Sequence, residues 1–221
     1  KILIVGDVML DKYYFGKVDR ISPEAPVPIV NIQKEESRLG GASNVANNIV
    51  SLGGHSLLCG VIGHDLFGKE IERISRHKNI DTFLLKTSSP TITKARIIGG
   101  KQQIVRVDYE DKSELNADNK KLFRDTISRI LPEYDILVIS DYGKGLISED
   151  LCRYLIKLAH KYDKKVIIDP KGKNWEKYSG ADIVTPNVKE LSDIVGYTVP
   201  NTDRAIEKAA REAITNNHLT A

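Results

Sequence analysis

Short runs of aliphatic residues recur along the chain and are separated by longer stretches of mixed polarity. Wholly apolar runs of this length are typical of strands that are buried on both faces of a parallel sheet. The predicted strands cover residues 2–5, 57–62, 136–139, 166–168 and 183–184.

The stretches between these strands carry apolar residues at helical spacing. Three such sets stand out: Val45, Ile49 and Leu52; Phe123, Ile127 and Ile130; and Leu151, Leu155 and Leu158. Each set would form one apolar stripe along a helix. Alternating strands and helices predict an α/β fold with a doubly wound, mostly parallel sheet.

Two segments depart from this alternation. Residues 12–34 contain Pro23, Pro26 and Pro28, and residues 91–109 have the pattern of a hairpin around Gly99 and Gly100. Neither segment offers a helix that could cover a sheet face. We therefore expect one domain over residues 1–221, with these segments forming a small β lid over the mouth of the main sheet.

The composition limits the classes of partner. The 221 residues include 33 Lys and Arg against 30 Asp and Glu, so the net charge of +3 favours neither nucleic acid nor a membrane surface. No run approaches the ~20 apolar residues of a membrane span. Cys59 and Cys152 lie among aliphatic residues, which favours buried thiols over a disulfide or a zinc site. We expect a soluble cytoplasmic protein whose anion binding is local.

Polar residues follow four of the predicted strands. In open α/β sheets, ligands bind beyond the carboxyl ends of the strands, where loops and helix N-termini converge. A single Asp or Asn there could equally be a turn former or a helix cap, but recurrence at one edge favours a binding site. The residues are Gly6, Asp7 and Asp11; Asp141, Gly143, Lys144 and Gly145; Asp169, Lys171 and Gly172; and Thr185, Asn187 and Glu190.

Gly40 and Gly41 directly precede the helical stretch 42–52. They would let the backbone approach a ligand closely, and Asn44 could both donate to and accept from a sugar hydroxyl. The same pair could also be an ordinary start of a helix.

Two common nucleotide-binding motifs are not matched. Residues 63–70 differ from a P-loop because Glu70 stands where a Ser or Thr should meet magnesium, so we expect a strand-to-helix turn with Gly68 at the helix start. No G-x-G-x-x-G follows the first strand, which disfavours a dinucleotide-dependent oxidoreductase.

Three stretches, residues 6–11, 20–28 and 39–46, resemble the ribokinase-like carbohydrate kinases. Residues 20–28, 90–94, 102–108 and 169–172 are in addition similar to the heptose 7-phosphate kinases of ADP-heptose synthesis. The similarity extends from residue 1 to about residue 195. It implies an α/β core with a β lid that often forms a homodimer contact, and ATP-dependent phosphorylation of a sugar phosphate, giving heptose 1,7-bisphosphate in the heptose branch.

The resemblance also implies roles for individual residues. Those expected to bind the sugar substrate are Asp7, Asp11, Gly40, Gly41, Asn44, Gln103, Arg106, Asp141, Lys144 and Lys171. Arg106, Lys144 and Lys171 are the candidates for gripping phosphate, since charge-assisted donors bind it strongly. Asn187 and Glu190 match the N-x-x-E element that binds the nucleotide, with Mg²⁺ held by Glu190 through water. Glu190 could instead be an ordinary first-turn helix acid.

The family's glycine-rich turn that ends in the catalytic Asp has no counterpart in this sequence. We expect it, and much of the adenine pocket, beyond residue 221, so that residues are absent at both termini and this piece alone is inactive. A non-catalytic sugar-phosphate binding module, and kinases for fructose phosphate, ribose or a nucleoside, stay open as alternatives. The kinase hypothesis requires Asp7, Asn44, Asp141, Lys171 and Asn187 to converge around one pocket.

Overall fold

The computed structural model describes residues 1–111 and 113–221. In this part of the chain the strands are β1 (Ile2–Gly6), β2 (Val8–Ile21), β3 (Pro28–Gly41), β4 (Ser56–Gly63), β5 (Asp81–Thr87), β6 (Thr93–Gly99), β7 (Gln102–Tyr109), β8 (Ile136–Ser140), β9 (Lys165–Asp169) and β10 (Ile183–Val184). The helices are α1 (Ala42–Ser51), α2 (Leu66–His77), α3 (Ala117–Ile130), α4 (Glu149–Lys161), α5 (Val188–Val195) and α6 (Asp203–Asn217).

The larger sheet has six parallel strands in the order β10-β9-β8-β1-β4-β5. This confirms the predicted α/β class and all five predicted strands. The sequence analysis missed β5, which lies at the edge of the sheet and has several exposed residues. Its apolar run is limited to residues 83–85 and is flanked by polar residues, so it was not recognised as one of the buried strands.

The core consists of two layers, one on each face of this sheet. Because successive side chains of a strand point to opposite faces, Leu3 and Val5 pack with α3 and α4, whereas Ile4 packs with α1 and α2. Cys59 and Cys152 are buried free thiols, as predicted. Burial raises the pKa of Cys152 to about 12, so this thiol is a packing group and not a nucleophile at neutral pH.

The second sheet, which we call the lid, has four strands in the order β3-β2-β6-β7. Its long strands β2 and β3 extend beyond residues 12–34 at the inner end, where Val8, Leu10 and Leu39 are buried in the core of the main domain. The hairpin at Gly99 and Gly100 is present, and Gly100 has a positive φ of 63°. The lid is thus rooted in the core and becomes exposed only towards its far end.

The base of the lid is tied to helix α2 by Asp65. Its Oδ1 accepts from the Gly68 amide (2.8 Å) and the Thr91 hydroxyl (2.7 Å), and its Oδ2 accepts from the Thr91 amide (2.8 Å). Partial burial raises the pKa of Asp65, but these hydrogen bonds outweigh burial and hold it below its ordinary value. Residues 63–70 therefore form the predicted strand-to-helix turn, with Gly68 in the first turn of α2.

Within residues 1–111 and 113–221, none of the helices combines the length and the apolar character that crossing a membrane requires.

Replacement of Asp65 by Asn should destabilise the protein by about 1–2 kcal/mol near neutral pH, because the amide group presents a donor to the donors of Thr91. A lowered carboxyl pKa contributes stability above the unfolded pKa, and this contribution is lost as pH falls through the folded pKa. The difference between wild type and variant should therefore shrink below about pH 4.

Urea unfolding at about pH 7 and about pH 3.5 measures this difference, and Asp118→Asn, an exposed first-turn acid of α3, is the matched control. A difference that stays constant between the two pH values would contradict the assigned role of the Asp65 carboxylate.

Candidate functional site

The turn between β3 and α1 is packed closely against the first strands. A Cβ on Gly40 would lie 2.5 Å from Asp11 Oδ2, and one on Gly41 would lie 2.4 Å from the Asp7 carbonyl oxygen. Gly41 also has a positive φ of 53°. Glycine is therefore required at both positions, and α1 begins at Ala42 without a side-chain cap on its first-turn amides.

An open cleft of about 660 Å³ lies between α1 and the lid, and we call it the lid cleft. It contains four of the residues predicted to bind sugar: Asp11, Gly40, Gly41 and Asn44. It is also lined by residues for which the sequence analysis proposed no role, namely Arg38, Lys78, Lys94, Arg96 and Tyr142. Its volume is in the range of small-molecule sites.

A second cavity of about 240 Å³ lies beyond the carboxyl ends of β8, β9 and β10, and we call it the strand-end cavity. It is lined by the predicted residues Asp141, Lys171, Asn187 and Glu190, together with Asp169 and Tyr142. Tyr142 lines both cavities. The residues that the kinase hypothesis requires around one pocket are therefore divided between two adjoining cavities, and Asp7 lines neither of them.

Asp7 lies beneath the rim and is buried. Its carboxylate accepts hydrogen bonds from the amides of Tyr142 (2.8 Å), Lys144 (3.1 Å) and Leu146 (3.4 Å). Burial raises the pKa of Asp7, and these amide hydrogen bonds oppose that rise. In this structure Asp7 positions the loop that carries Tyr142, and its predicted contact with a sugar hydroxyl stays a prediction.

Asp141 is also buried and joins the strand-end cavity to the segment that follows β9. Its carboxylate pairs with Lys177, accepts from the Tyr178 hydroxyl (2.7 Å) and accepts from the Gly143 amide (2.7 Å). Tyr178 in turn accepts a hydrogen bond from the Lys171 amide (2.9 Å). This network fixes the backbone that carries Lys171, whose side chain lines the cavity.

Asn187 and Glu190 form the capping box of α5. Asn187 Oδ1 accepts from the Glu190 amide (2.9 Å), and Glu190 Oε2 accepts from the Asn187 amide (3.1 Å). Glu190 Oε1 lies 3.0 Å from Lys171 Nζ. Glu190 therefore has the structural role of a first-turn helix acid, which was the alternative to a role in nucleotide binding. Both residues also line the strand-end cavity.

The lining of the strand-end cavity includes the carboxylates of Asp169 and Glu190. Burial raises the pKa of Asp169, and the neighbouring carboxylate of Glu190 raises it further. Among the described residues no group of three or more acidic, His or Cys side chains is placed to hold a metal ion. The carboxylates of Asp169 and Glu190 fit Mg²⁺, which is typically held by one or two carboxylates together with water and phosphate oxygens. The role of Glu190 in holding it stays a prediction.

Besides Asp7, three predicted residues lie outside both cavities in the described part of the chain. Gln103 and Arg106 are exposed on β7, where Arg106 forms two hydrogen bonds with Asp108 (2.8 and 3.0 Å). Lys144 pairs with Glu110 and lines a separate cavity of about 220 Å³. These three residues line neither the lid cleft nor the strand-end cavity, and their contacts with sugar or phosphate stay predictions.

Comparison with known proteins identifies the family of the chain. Residues 1–219 match the pfkB family carbohydrate kinases. The chain belongs to this family.

Two curated relatives are similar to this pfkB chain over most of its length. The bifunctional protein HldE of Helicobacter pylori (strain P12) is 48% identical over 193 residues, which cover 86% of this chain and 42% of HldE. The D-beta-D-heptose 7-phosphate kinase of Bordetella bronchiseptica is 44% identical over 212 residues, covering 96% of this chain and 66% of that enzyme. The chain thus spans less than half the length of the bifunctional relative.

Solved structures share the fold. The tetrameric inhibited form of phosphofructokinase-2 from Escherichia coli superposes with a TM-score of 0.76 at 21% identity, covering 99% of this chain and 71% of that one. A carbohydrate kinase from Agrobacterium tumefaciens gives a TM-score of 0.68 at 18% identity, covering 94% of this chain and 66% of that one. At these identities the likeness shows the fold alone, and it confirms the predicted ribokinase-like architecture.

Several residues at the site of this pfkB kinase chain were not found by sequence reasoning. Lys94 and Arg96 occupy alternate positions of β6, and this spacing could have placed both on one face of the lid. Trp175 and Tyr178 are aromatic residues within an otherwise polar segment, which could have indicated buried anchors.

Replacement of Tyr178 by Phe should cost about 1.5–3 kcal/mol of unfolding free energy, because a hydrogen bond to a buried carboxylate is lost. It should also speed hydrogen exchange of the Lys171 amide, which loses its acceptor. Burial and the Asp141 carboxylate raise the pKa of Tyr178, so the hydroxyl donates across the whole range of accessible pH.

The matched control is Tyr154→Phe on α4, a tyrosine that packs against the same core and has its ring against Arg124. Amide exchange measured by NMR that is equally fast at Lys171 in both variants would contradict the positioning role of Tyr178.

Proposed function

We propose that this chain carries the sugar and phosphate sites of an ATP-dependent sugar-phosphate kinase. The acceptor would be heptose 7-phosphate, phosphorylated at its C1 hydroxyl to give heptose 1,7-bisphosphate for ADP-heptose synthesis. The observation that carries this proposal is the pair of adjoining cavities, with Tyr142 lining both. One has groups suited to sugar hydroxyls, and the other places Lys171 and the N-terminus of α5 beside carboxylates.

The sugar would lie in the lid cleft. Asp11 Oδ1 is engaged by Arg96 at 2.6 Å, which fixes the carboxylate next to Gly40. Asn44 is exposed in the first turn of α1 and lines the same cleft. Carboxylate and amide groups are good partners for sugar hydroxyls, and the absence of a Cβ at Gly40 gives such a ligand close access.

The phosphates of ATP would lie at the strand-end cavity. Lys171 supplies a cation there, and the N-terminus of α5 contributes the partial positive charge of a helix end. Mg²⁺ near Asp169 and Glu190 would supply charge neutralisation for the phosphates. The protein residues would hold the donor and acceptor in line, which is the main requirement of phosphoryl transfer.

In the reaction the bond between the γ-phosphorus of ATP and its bridging oxygen breaks, and the sugar oxygen forms the new bond to phosphorus. ADP leaves, and the hydroxyl proton passes to a base. By resemblance this base is an Asp beyond residue 221, so the chain by itself should be inactive.

One observation favours heptose phosphate over fructose phosphate or ribose as the acceptor, and a second favours a kinase over a binding module. The relatives at 44–48% identity are a heptose 7-phosphate kinase and HldE, whereas the phosphofructokinase-2 likeness is at 21% identity. A binding module without catalysis would need no second cavity with phosphate-binding character.

The test is ADP formation from ATP and heptose 7-phosphate by this chain within its complete reading frame. Asn44→Ala should lower kcat/KM for the sugar by roughly 10-fold or more, because one or two hydrogen bonds to the substrate are lost. Asn48→Ala, on the same helix but outside the lid cleft, should change it less than about 2-fold.

Equal ADP formation without any sugar, or equal loss in the Asn44 and Asn48 variants, would contradict the proposal. Full turnover by residues 1–221 alone would contradict the assignment of the base.

We further propose a homodimer formed through the lid, as in the kinases that the sequence resembles. Supporting this, several lid residues are both apolar and exposed, among them Ile21 (62% exposed) and Val105 (44% exposed). Exposed apolar groups concentrated on one element are typical of an interaction surface.

Ile21→Glu should therefore shift the protein from dimer towards monomer in sedimentation velocity, because a charge would be buried at the contact. Leu52→Glu, at a site 88% exposed at the end of α1, is the control and should leave the dimer intact. A wild-type protein that stays monomeric at high micromolar concentration would overturn this proposal.

A further inference from the structure

The wall of the lid cleft opposite α1 is one face of the lid, and the strand register determines which residues it presents. Asp11 pairs with Arg38 of β3 and with Lys94 of β6, while Tyr13 pairs with Arg96. Residues paired directly across neighbouring strands lie on the same face, so these five side chains share one surface. All five line the lid cleft.

Tyr13 lies between two guanidinium groups supplied by the strands on either side of β2. The Arg38 Cζ is 4.9 Å from the centre of the Tyr13 ring, and the Arg96 Cζ is 5.1 Å from it. Cation–π contacts at these distances limit the freedom of both side chains. Their outward donors are thereby held beside each other within the cleft.

The cleft carries more positive charge than a neutral sugar needs. Its lining contains the cations Arg38, Lys78, Lys94 and Arg96 against the single carboxylate of Asp11. In addition, Arg96 lies directly opposite Arg106 across the β6–β7 pair. Like charges at directly opposed positions are unfavourable in a sheet, and a bound anion would relieve that repulsion.

We propose that Arg38 and Arg96, held by Tyr13, bind the phosphate that the sugar substrate already carries. This inference rests on the proposed function and adds to it the feature that selects a phosphorylated sugar over a free one. Guanidinium groups bind phosphate through paired, charge-assisted hydrogen bonds, which makes them suited to this selection. Lys171, in the strand-end cavity, is then left for the phosphates of the nucleotide.

This assignment differs from the roles expected from the resemblance. Lys144 is engaged with Glu110 and lines a separate cavity, and Arg106 is engaged with Asp108 on the exposed strand β7. Arg38 also has a carboxylate partner, Glu36 at 2.7 Å, but Glu36 does not line the lid cleft among the described residues. Replacing Arg38 therefore leaves the sugar-binding Asp11 in place.

The test is calorimetric titration of the chain with heptose 7-phosphate, with the unphosphorylated heptose and with inorganic phosphate. In the wild type the phosphorylated sugar should bind more tightly than the free sugar. Arg38→Gln and Arg96→Gln should each weaken heptose 7-phosphate binding by roughly 10-fold or more, since a charge-assisted contact is lost. Arg38→Gln should change binding of the free heptose by less than about 2-fold.

Arg73→Gln is the matched control, because Arg73 is likewise an exposed arginine paired with a glutamate, Glu70, and lies outside the lid cleft. Arg106→Gln and Lys144→Gln are measured in parallel. Circular dichroism and thermal unfolding establish whether each variant is folded. If Arg96→Gln does not fold, the binding data for Arg38→Gln decide whether the arginines bind the phosphate.

Equal weakening for phosphorylated and free sugar, no weakening in either arginine variant, or selective loss only in the Arg106 or Lys144 variant would each overturn the phosphate assignment. The two proposals can fail separately. If a free sugar is turned over as efficiently as its phosphate, the proposed phosphate site is contradicted and the proposed kinase activity is not. Absence of ADP formation with every sugar would remove the kinase, while the titration with inorganic phosphate would still decide whether Arg38 and Arg96 bind an anion.

Discussion

The buried carboxylate of Asp7 determines how the separate parts of the site are held together. It follows β1, one of the two central strands of the main sheet, and it accepts hydrogen bonds from three amides of the loop after β8. Its own backbone carbonyl accepts from the first amide of α1. A buried charge is tolerated only where it is well supplied with donors, so the loop cannot move without leaving that carboxylate unsatisfied. Movement of the helix start would in turn leave the Asp7 carbonyl without its donor.

The consequences of this constraint extend to both cavities. The loop fixed by Asp7 carries Tyr142, which lines the lid cleft on one side and the strand-end cavity on the other. Asp141, in the same loop, continues the network through Tyr178 to the backbone of Lys171. Buried hydrogen-bond networks of this kind keep site groups in place before a ligand arrives, which is what catalysis by positioning requires.

The charged residues at the rim are also held in advance. Arg96 engages Asp11 and Lys171 engages Glu190, so a neighbouring carboxylate orients one arginine of the lid cleft and the lysine of the strand-end cavity. A phosphate that enters has to compete with that carboxylate, but it meets donors whose side-chain entropy is already reduced. The far end of the lid is exposed and lies outside these contacts.

The sequence by itself determined the α/β class, five of the six strands of the main sheet, the hairpin of the lid and the family resemblance, because these depend on local periodicity and on contiguous motifs. It also predicted that Asp11, Gly40, Gly41 and Asn44 belong together, and the structure places all four in one cleft. It missed the edge strand β5, the roles of Arg96 and Tyr178, and the division of the rim into two cavities. Those features arise from the register between β2, β3 and β6 and from contacts over long sequence separations, such as Asp11 with Arg96, and only the tertiary structure brings such residues within hydrogen-bond distance.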